Sequence, residues 1–306
     1  MSIKSFFQLV EIQTKLASVI PLAMGTTFAL YRYHTFNIKV FVLMFISLLA
    51  FDMATTAINN YCDYKYEVNN AIVRNNLKDS TVLKVIFILL IVAVTAGIIL
   101  TLNTDIVILL VGGLSFFIGI FYTFGPIPIS RMPLGEAFSG IFMGFVIIFL
   151  SVYIHIFDTN IISLIFKINI LSININIFEI FYIFLFSIPA INCIANIMLA
   201  NNICDLEEDI LKKRYTLPYY LGKENALKLF KVLYYISYLD ILLLSLLGIT
   251  PLINIFVLLT FIKADKNIKQ FSNEPVKAKN FKLAIANFVL INLPQIALIS
   301  VALLFM

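Results

Sequence analysis

The sequence predicts an all-α integral membrane protein, one domain over residues 1–306 with nine candidate spanning helices. Three observations carry that prediction. Hydrophobic residues make up 61% of the chain and charged residues only 13%, and mean hydropathy is +0.99. The apolar residues also gather into separate runs, most of them about 17–25 residues long, the length of helix that crosses a hydrocarbon core about 30 Å thick. A soluble domain needs far more polar surface than this composition supplies. The net charge of +5 reads as basic loops that orient membrane helices, so no nucleic-acid partner is expected.

In chain order, Met1–Glu11 is a short, mildly amphipathic lead-in without the features of a cleavable signal peptide. The spans then read Leu16–Tyr33, Ile38–Ile58, Thr81–Thr101, Ile106–Phe124, Gly135–Ile156, Ile177–Ala200, Ala226–Leu247, Thr250–Ile262 and Leu283–Met306. The eighth is short, and the tract Asn160–Phe178 is apolar enough to blur the start of the sixth. With the N-terminus inside, nineteen of the 22 lysines and arginines fall in internal segments, leaving Arg32, Lys39 and Lys167 outside. That bias places the N-terminus in the cytoplasm and the protein in the cell membrane. Three cysteines form no disulfide framework and are expected as free thiols.

Two polar islands interrupt the apolar runs: Asn59-Asn60-Tyr61-Cys62-Asp63-Tyr64-Lys65-Tyr66-Glu67 and Asn201-Asn202-Ile203-Cys204-Asp205-Leu206-Glu207-Glu208-Asp209. Each begins where a span reaches the cytoplasmic face. Residues four apart share a helix face, so Asn59, Asp63 and Glu67 project together, as do Asp205 and Asp209. Carboxylates gathered at a membrane edge repel one another without a counter-ion. Mg²⁺ relieves that repulsion, because it prefers one or two carboxylates plus water and phosphate oxygens. Helix capping alone accounts for one such island; two with the same spacing on one face point to a phosphate ester held through metal.

Bases beside the acids fit the same reading. Lys15, Lys65 and Arg214 can reach phosphate oxygens, whereas Arg131 is the only base in a loop stiffened by Pro126, Pro128 and Pro133. The intramembrane acids Asp52 and Asp240 suit a cation path, so an ion-coupled transporter stands as a second reading. His34 and His155 fall at external span ends and offer no metal site.

These residues resemble the UbiA superfamily of membrane prenyltransferases, and within it the branch acting on 1,4-dihydroxy-2-naphthoate in menaquinone synthesis. The first island is similar to the family's N-D-x-x-D-x-x-x-D motif, with Asn60 where an aspartate is usual and Glu67 as the last acid. The second is similar to the branch pattern N-N-x-R-D-x-E-x-D, matching at Asn201, Asn202, Asp205, Glu207 and Asp209, with Cys204 in place of the arginine. Arg214, Thr216-Leu217, Leu221-Gly222 and the Tyr122–Glu136 loop continue the likeness.

The resemblance implies a UbiA-type bundle around a central cavity open to cytoplasm and lipid. It implies Mg²⁺ held by Asn59, Asp63, Glu67, Asp205 and Asp209, with Asn60, Lys65, Asn201 and Asn202 lining the substrate site and Lys15 and Arg214 neutralising a polyprenyl diphosphate. Tyr122 would offer an aromatic face to the allylic cation and Arg131 would steer the carboxylate of 1,4-dihydroxy-2-naphthoate. Decarboxylating transfer would give demethylmenaquinone. Acceptors such as 4-hydroxybenzoate, haem, chlorophyllide or glycerol phosphate stand as alternatives within the superfamily.

Overall fold

The computed structural model describes residues 1–64, 71–123, 129–159 and 161–306, without the side chains of Asp63, Arg74, Thr123, Ile165, Phe166, Lys167, Ile170 and Leu171. Lys65 and Glu67, both expected at the site, lie outside the described residues, as do all of residues 124–128. Packing groups the chain into two compact units, Met1–Val19 with Asn37–Ile129 and Ile20–Phe36 with Ser130–Met306.

The first unit holds α1 (Ile3–Leu9), a 3₁₀ turn (Ile12–Lys15) and the start of α2 (Leu16–Tyr33). It continues with α3 (Ile38–Asp63), α4 (Ala71–Arg74), α5 (Asp79–Leu102) and α6 (Ile106–Thr123). Asn37 caps α3 by accepting from the Lys39 and Val40 backbone N–H groups, so the helix begins where the sequence supplies a side-chain acceptor. Helix α3 packs along α5 and against α6. Phe51 and Phe116 stack face to face at 3.9 Å. Leu9, Ala57, Ile72, Val82 and Ile86 form a buried cluster flanked by Tyr61 and Tyr64, tying the N-terminal segment to the end of α3.

In the second unit, α7 (Gly135–Ser139), a π-helical segment (Gly140–Val146) and α8 (Ile147–Ile156) run on as one helical rod. They are followed by β1 (Ile162–Lys167), β2 (Ile170–Ile175), α9 (Ile177–Cys204), α10 (Leu206–Leu211), α11 (Leu217–Leu221) and α12 (Lys223–Leu246). A 3₁₀ helix (Leu252–Thr260), α13 (Phe261–Asn273) and α14 (Lys277–Leu303) complete it. Helix α9 is the hub, touching the π-helical segment, α7, α8, α12 and α14. Gly140 and Gly144 allow the closest approach: a Cβ on Gly144 would stand 2.6 Å from the Ile191 backbone of α9, nearer than real methyl groups pack.

Each of the nine expected runs is helical over most of its described length. Among the described residues, six helices, Ile38–Cys62, Asp79–Leu102, Gly135–Thr159, Ile177–Cys204, Lys223–Leu246 and Lys277–Leu303, are long and apolar enough to cross a membrane. This is a multi-pass membrane protein. Two expectations change. The eighth run is a 3₁₀ helix that passes into α13, whose Lys263, Lys266 and Lys269 give it a polar side rather than a span's composition. Within the apolar tract before α9, Ile162–Lys167 and Ile170–Ile175 pair as an antiparallel hairpin, a departure from a purely helical chain. Alternating isoleucines with serine and asparagine between them favour the pleated state over a helix.

Candidate active site

The second acidic island is built where α9 ends. The Asp205 N–H donates to Asn201 O at 3.0 Å, and Asp205 heads α10. One turn on, the Asp209 N–H donates to Asp205 O at 2.8 Å, so the two carboxylates lie on the same side of the turn. Asp205 is half-buried and Asp209 buried. Burial pushes the Asp209 carboxyl above its ordinary range, with Arg214 opposing that shift.

Each acid already has a cation. Lys277, the first residue of α14, places its ammonium 2.5 Å from Asp205 Oδ2. Arg214 Nε stands 3.6 Å from Asp209 Oδ1, a charge pair beyond hydrogen-bonding distance. Its position follows from the end of α10. The Lys213 N–H reaches Ile210 O and the Arg214 N–H reaches Asp209 O, with Lys213 at φ +55°. This pairing is a Schellman motif with lysine where glycine is usual, and it folds Arg214 back toward Asp209.

Two further links hold the neighbourhood. Asn202 Nδ2 donates to Glu136 Oε1 at 2.8 Å with both residues buried, which fixes the start of α7 against the end of α9. The Tyr215 N–H donates to Arg131 O at 3.3 Å, bringing the Arg131 backbone beside the chain just after Arg214 while the guanidinium is exposed. Asn201 is half-buried.

At the first island, Asn59 and Asp63 lie one turn apart on α3, with Asn59 exposed. Asn60 is buried and donates to Leu9 O at 2.9 Å and Glu11 Oε1 at 3.2 Å, anchoring the N-terminal segment. Lys15, expected at a diphosphate, is buried and donates to Asp52 Oδ1 and Thr56 Oγ1, each at 2.6 Å. Ser18 donates to the other Asp52 oxygen. A buried ammonium needs such a partner, and the carboxylate seven residues before Asn59 supplies it. Tyr122 is half-buried near the end of α6. Tyr64 donates to Asp79 Oδ2 at 3.0 Å, joining the end of α3 to the start of α5.

Sequence reasoning passed over Lys277 and Glu136. Lys277 counted only among the orienting bases, and Glu136 was noted only as part of a loop. Among the described residues, no three His, Cys, Asp or Glu side chains gather to hold a metal ion. The Asp205 and Asp209 pair nevertheless fits Mg²⁺ by donor chemistry: two hard oxygen ligands a turn apart, in a place where cations already neutralise them.

The sequence pattern of the UbiA prenyltransferase family matches residues 18–288. The chain belongs to the UbiA prenyltransferase family. The 1,4-dihydroxy-2-naphthoate octaprenyltransferase of Bacillus subtilis (strain 168) is 32% identical over 250 residues, covering 79% of this chain and 74% of that protein. Among solved structures, a UbiA homolog from Aeropyrum pernix K1 aligns with a TM-score of 0.67 at 16% identity, over 92% of this chain and 97% of its own. A UbiA homolog from Archaeoglobus fulgidus, bound to GPP and Mg²⁺, aligns at 0.63 and 16% identity over 99% and 100% of the two chains. These neighbours establish a UbiA fold for this prenyltransferase, and membership sets aside the ion-coupled transporter.

Proposed function

We propose that this UbiA-family prenyltransferase moves a polyprenyl group from polyprenyl diphosphate to 1,4-dihydroxy-2-naphthoate, releasing diphosphate and carbon dioxide and giving the reduced form of demethylmenaquinone. The observation that carries this reading is the 32% identity, over most of both chains, to a protein named 1,4-dihydroxy-2-naphthoate octaprenyltransferase. The binding of GPP and Mg²⁺ by a UbiA homolog of the same fold supports a prenyl diphosphate and a divalent ion. The lysine and arginine distribution supports a cell-membrane protein with its acidic segments in the cytoplasm.

Mg²⁺, when bound, would stabilise the negative charge that builds on the departing diphosphate. Asp205 and Asp209, with Asn59, Asp63 and Glu67 of the first island, would hold it through oxygen atoms. Arg214 and Lys277, each paired with one of these acids, would turn to diphosphate oxygens as the acids take up metal, keeping the leaving group's charge matched. The allylic C–O bond breaks with its electron pair on the diphosphate. A tyrosine face such as that of Tyr122 would shield the carbocation from water until the electron-rich ring attacks. The carboxylate of the acceptor, steered by Arg131, leaves as carbon dioxide.

Purified protein in lipid vesicles, given a labelled polyprenyl diphosphate, should prenylate 1,4-dihydroxy-2-naphthoate in preference to 4-hydroxybenzoate. Preference for the benzoate would replace the acceptor while leaving the family intact. Equal labelling after exhaustive chelation would remove the metal from the scheme.

A further inference from the structure

The hairpin between α8 and α9 contributes none of the candidate site residues, yet its pattern is not that of a loop. Its register pairs Ile162 with Ile175 and Leu164 with Ile173, and between them Ser163 with Asn174. Alternation puts the first two pairs on one face and the serine and asparagine on the other, where Asn174 Nδ2 meets Ser163 Oγ at 3.4 Å. On β2 the apolar face is open, with Ile173 56% exposed and Ile175 50%, while Ile162 and Leu164 beside them on β1 are half-buried. Ile168, in the turn, is 99% exposed. This surface runs without a break into the first turns of α9, a span-length apolar helix, through the exposed Ile177, Phe178 and Phe181. A shallow groove lined by Phe145, Ile175, Ile177, Ile180, Phe181 and Phe184 joins the two.

The base of the hairpin is fixed. Ile161 is buried, the Asn176 N–H donates to Ile161 O at 2.8 Å, and the Tyr153 hydroxyl donates to Ile162 O at 3.3 Å. The strands are therefore held at the level where α8 ends and α9 begins, the end of a membrane span.

We propose that the β1–β2 hairpin is an interfacial anchor, lying along the membrane surface with its Ile162, Leu164, Ile173 and Ile175 face among the lipid acyl chains. Two opposing requirements fix that depth. A two-stranded sheet has two outer edges, and the backbone N–H and C=O groups there need water or headgroups, which excludes the hydrocarbon interior. An apolar face this exposed excludes bulk water. Only the boundary between headgroups and acyl chains satisfies both. Acyl chains are the occupant because the face is continuous with the surface of a helix that itself spans the membrane.

The protein contains no tryptophan, so a single introduced indole reports its own site. Ile173→Trp and Ser172→Trp would be compared in vesicles whose phosphatidylcholine is brominated either near the headgroup end or near the methyl end of the acyl chain. Fluorescence of Ile173→Trp should be quenched severalfold more by the shallow bromines than that of Ser172→Trp, with iodide in the water showing the reverse order. Leu164→Trp, on the partner strand, should repeat the Ile173→Trp result and serves if either variant fails to fold. Strongest quenching by the deep bromines would put the hairpin inside the membrane and overturn the proposal. Iodide quenching of Ile173→Trp with no response to bromine would put it in water. Protection from both quenchers would mean that protein, such as a second copy of the chain, covers the face, and would overturn it equally.

Discussion

The backbone N–H of Arg214 donates to the carbonyl oxygen of Asp209 at 2.8 Å, closing a loop of backbone on the left-handed turn at Lys213. Chain geometry therefore sets the distance between this arginine and its acid before any charge acts. A side chain at positive φ strains the backbone by about 1 kcal/mol, a strain glycine does not carry. Lys213→Gly should raise the thermal midpoint in detergent and keep transfer near normal, while Lys213→Val should lower both. A midpoint lower for glycine than for valine would show that the lysine side chain, not the turn, holds this segment.

Asp205→Asn and Asp209→Asn should each cost transfer at least about a hundredfold, as expected when a metal's immediate surroundings are disturbed. Both variants should stay folded, because asparagine preserves volume at either place. Near-normal turnover in both would remove the second island from the metal–diphosphate chemistry.

Lys277 gives a prediction separate from turnover. Lys277→Gln leaves Asp205 without its cation, so the metal-free protein should lose about 0.2–1 kcal/mol, the range for an ion pair of this exposure. Saturating Mg²⁺ should restore more stability to this variant than to the parent, since the ion no longer displaces an ammonium. Identical Mg²⁺-induced shifts in thermal midpoint would place the metal elsewhere.

Lys15 and Asp52 are both largely buried and joined at 2.6 Å. Lys15→Met alone should destabilise by about 3–5 kcal/mol, because Asp52 remains as an uncompensated buried charge. Lys15→Met with Asp52→Leu should recover most of that loss and most of the activity. A double variant that is stable but inactive would return Lys15 to the diphosphate.

Arg131 should act on the acceptor. Arg131→Ala is expected to raise KM for 1,4-dihydroxy-2-naphthoate by an amount worth about 1.5–3 kcal/mol of charge-assisted hydrogen bonding, with little change for the prenyl diphosphate. The opposite pattern would assign the guanidinium to phosphate.

The sequence foretells most of the helices because a hydrocarbon solvent demands long apolar runs, and Leu16–Tyr33 appears with the bounds that its run of residues suggests. It leaves the stretch before α9 ambiguous, because apolar content there is as high as in a span while the period of the Ile162–Ile175 hairpin is two. At the second island the acids and Arg214 are legible from their spacing. The partner of Asp205 is not, since Lys277 is 72 residues away and resembles any loop lysine. Lys15 is likewise legible as a base beside the first island, but its partner Asp52 is not, because composition cannot reveal a neighbour brought from another helix by folding.

Gly144 bears on how the protein can move. Packed helices usually adjust by small shear, their side chains switching rotamer as one surface slides over the other. Where a missing Cβ brings backbone within 2.6 Å of where a methyl would stand, no side chains lie between to act as bearings. The π-helical segment and α9 therefore meet backbone to backbone at Gly144, and it is α9 that leads from this seam to Asp205 and the second island.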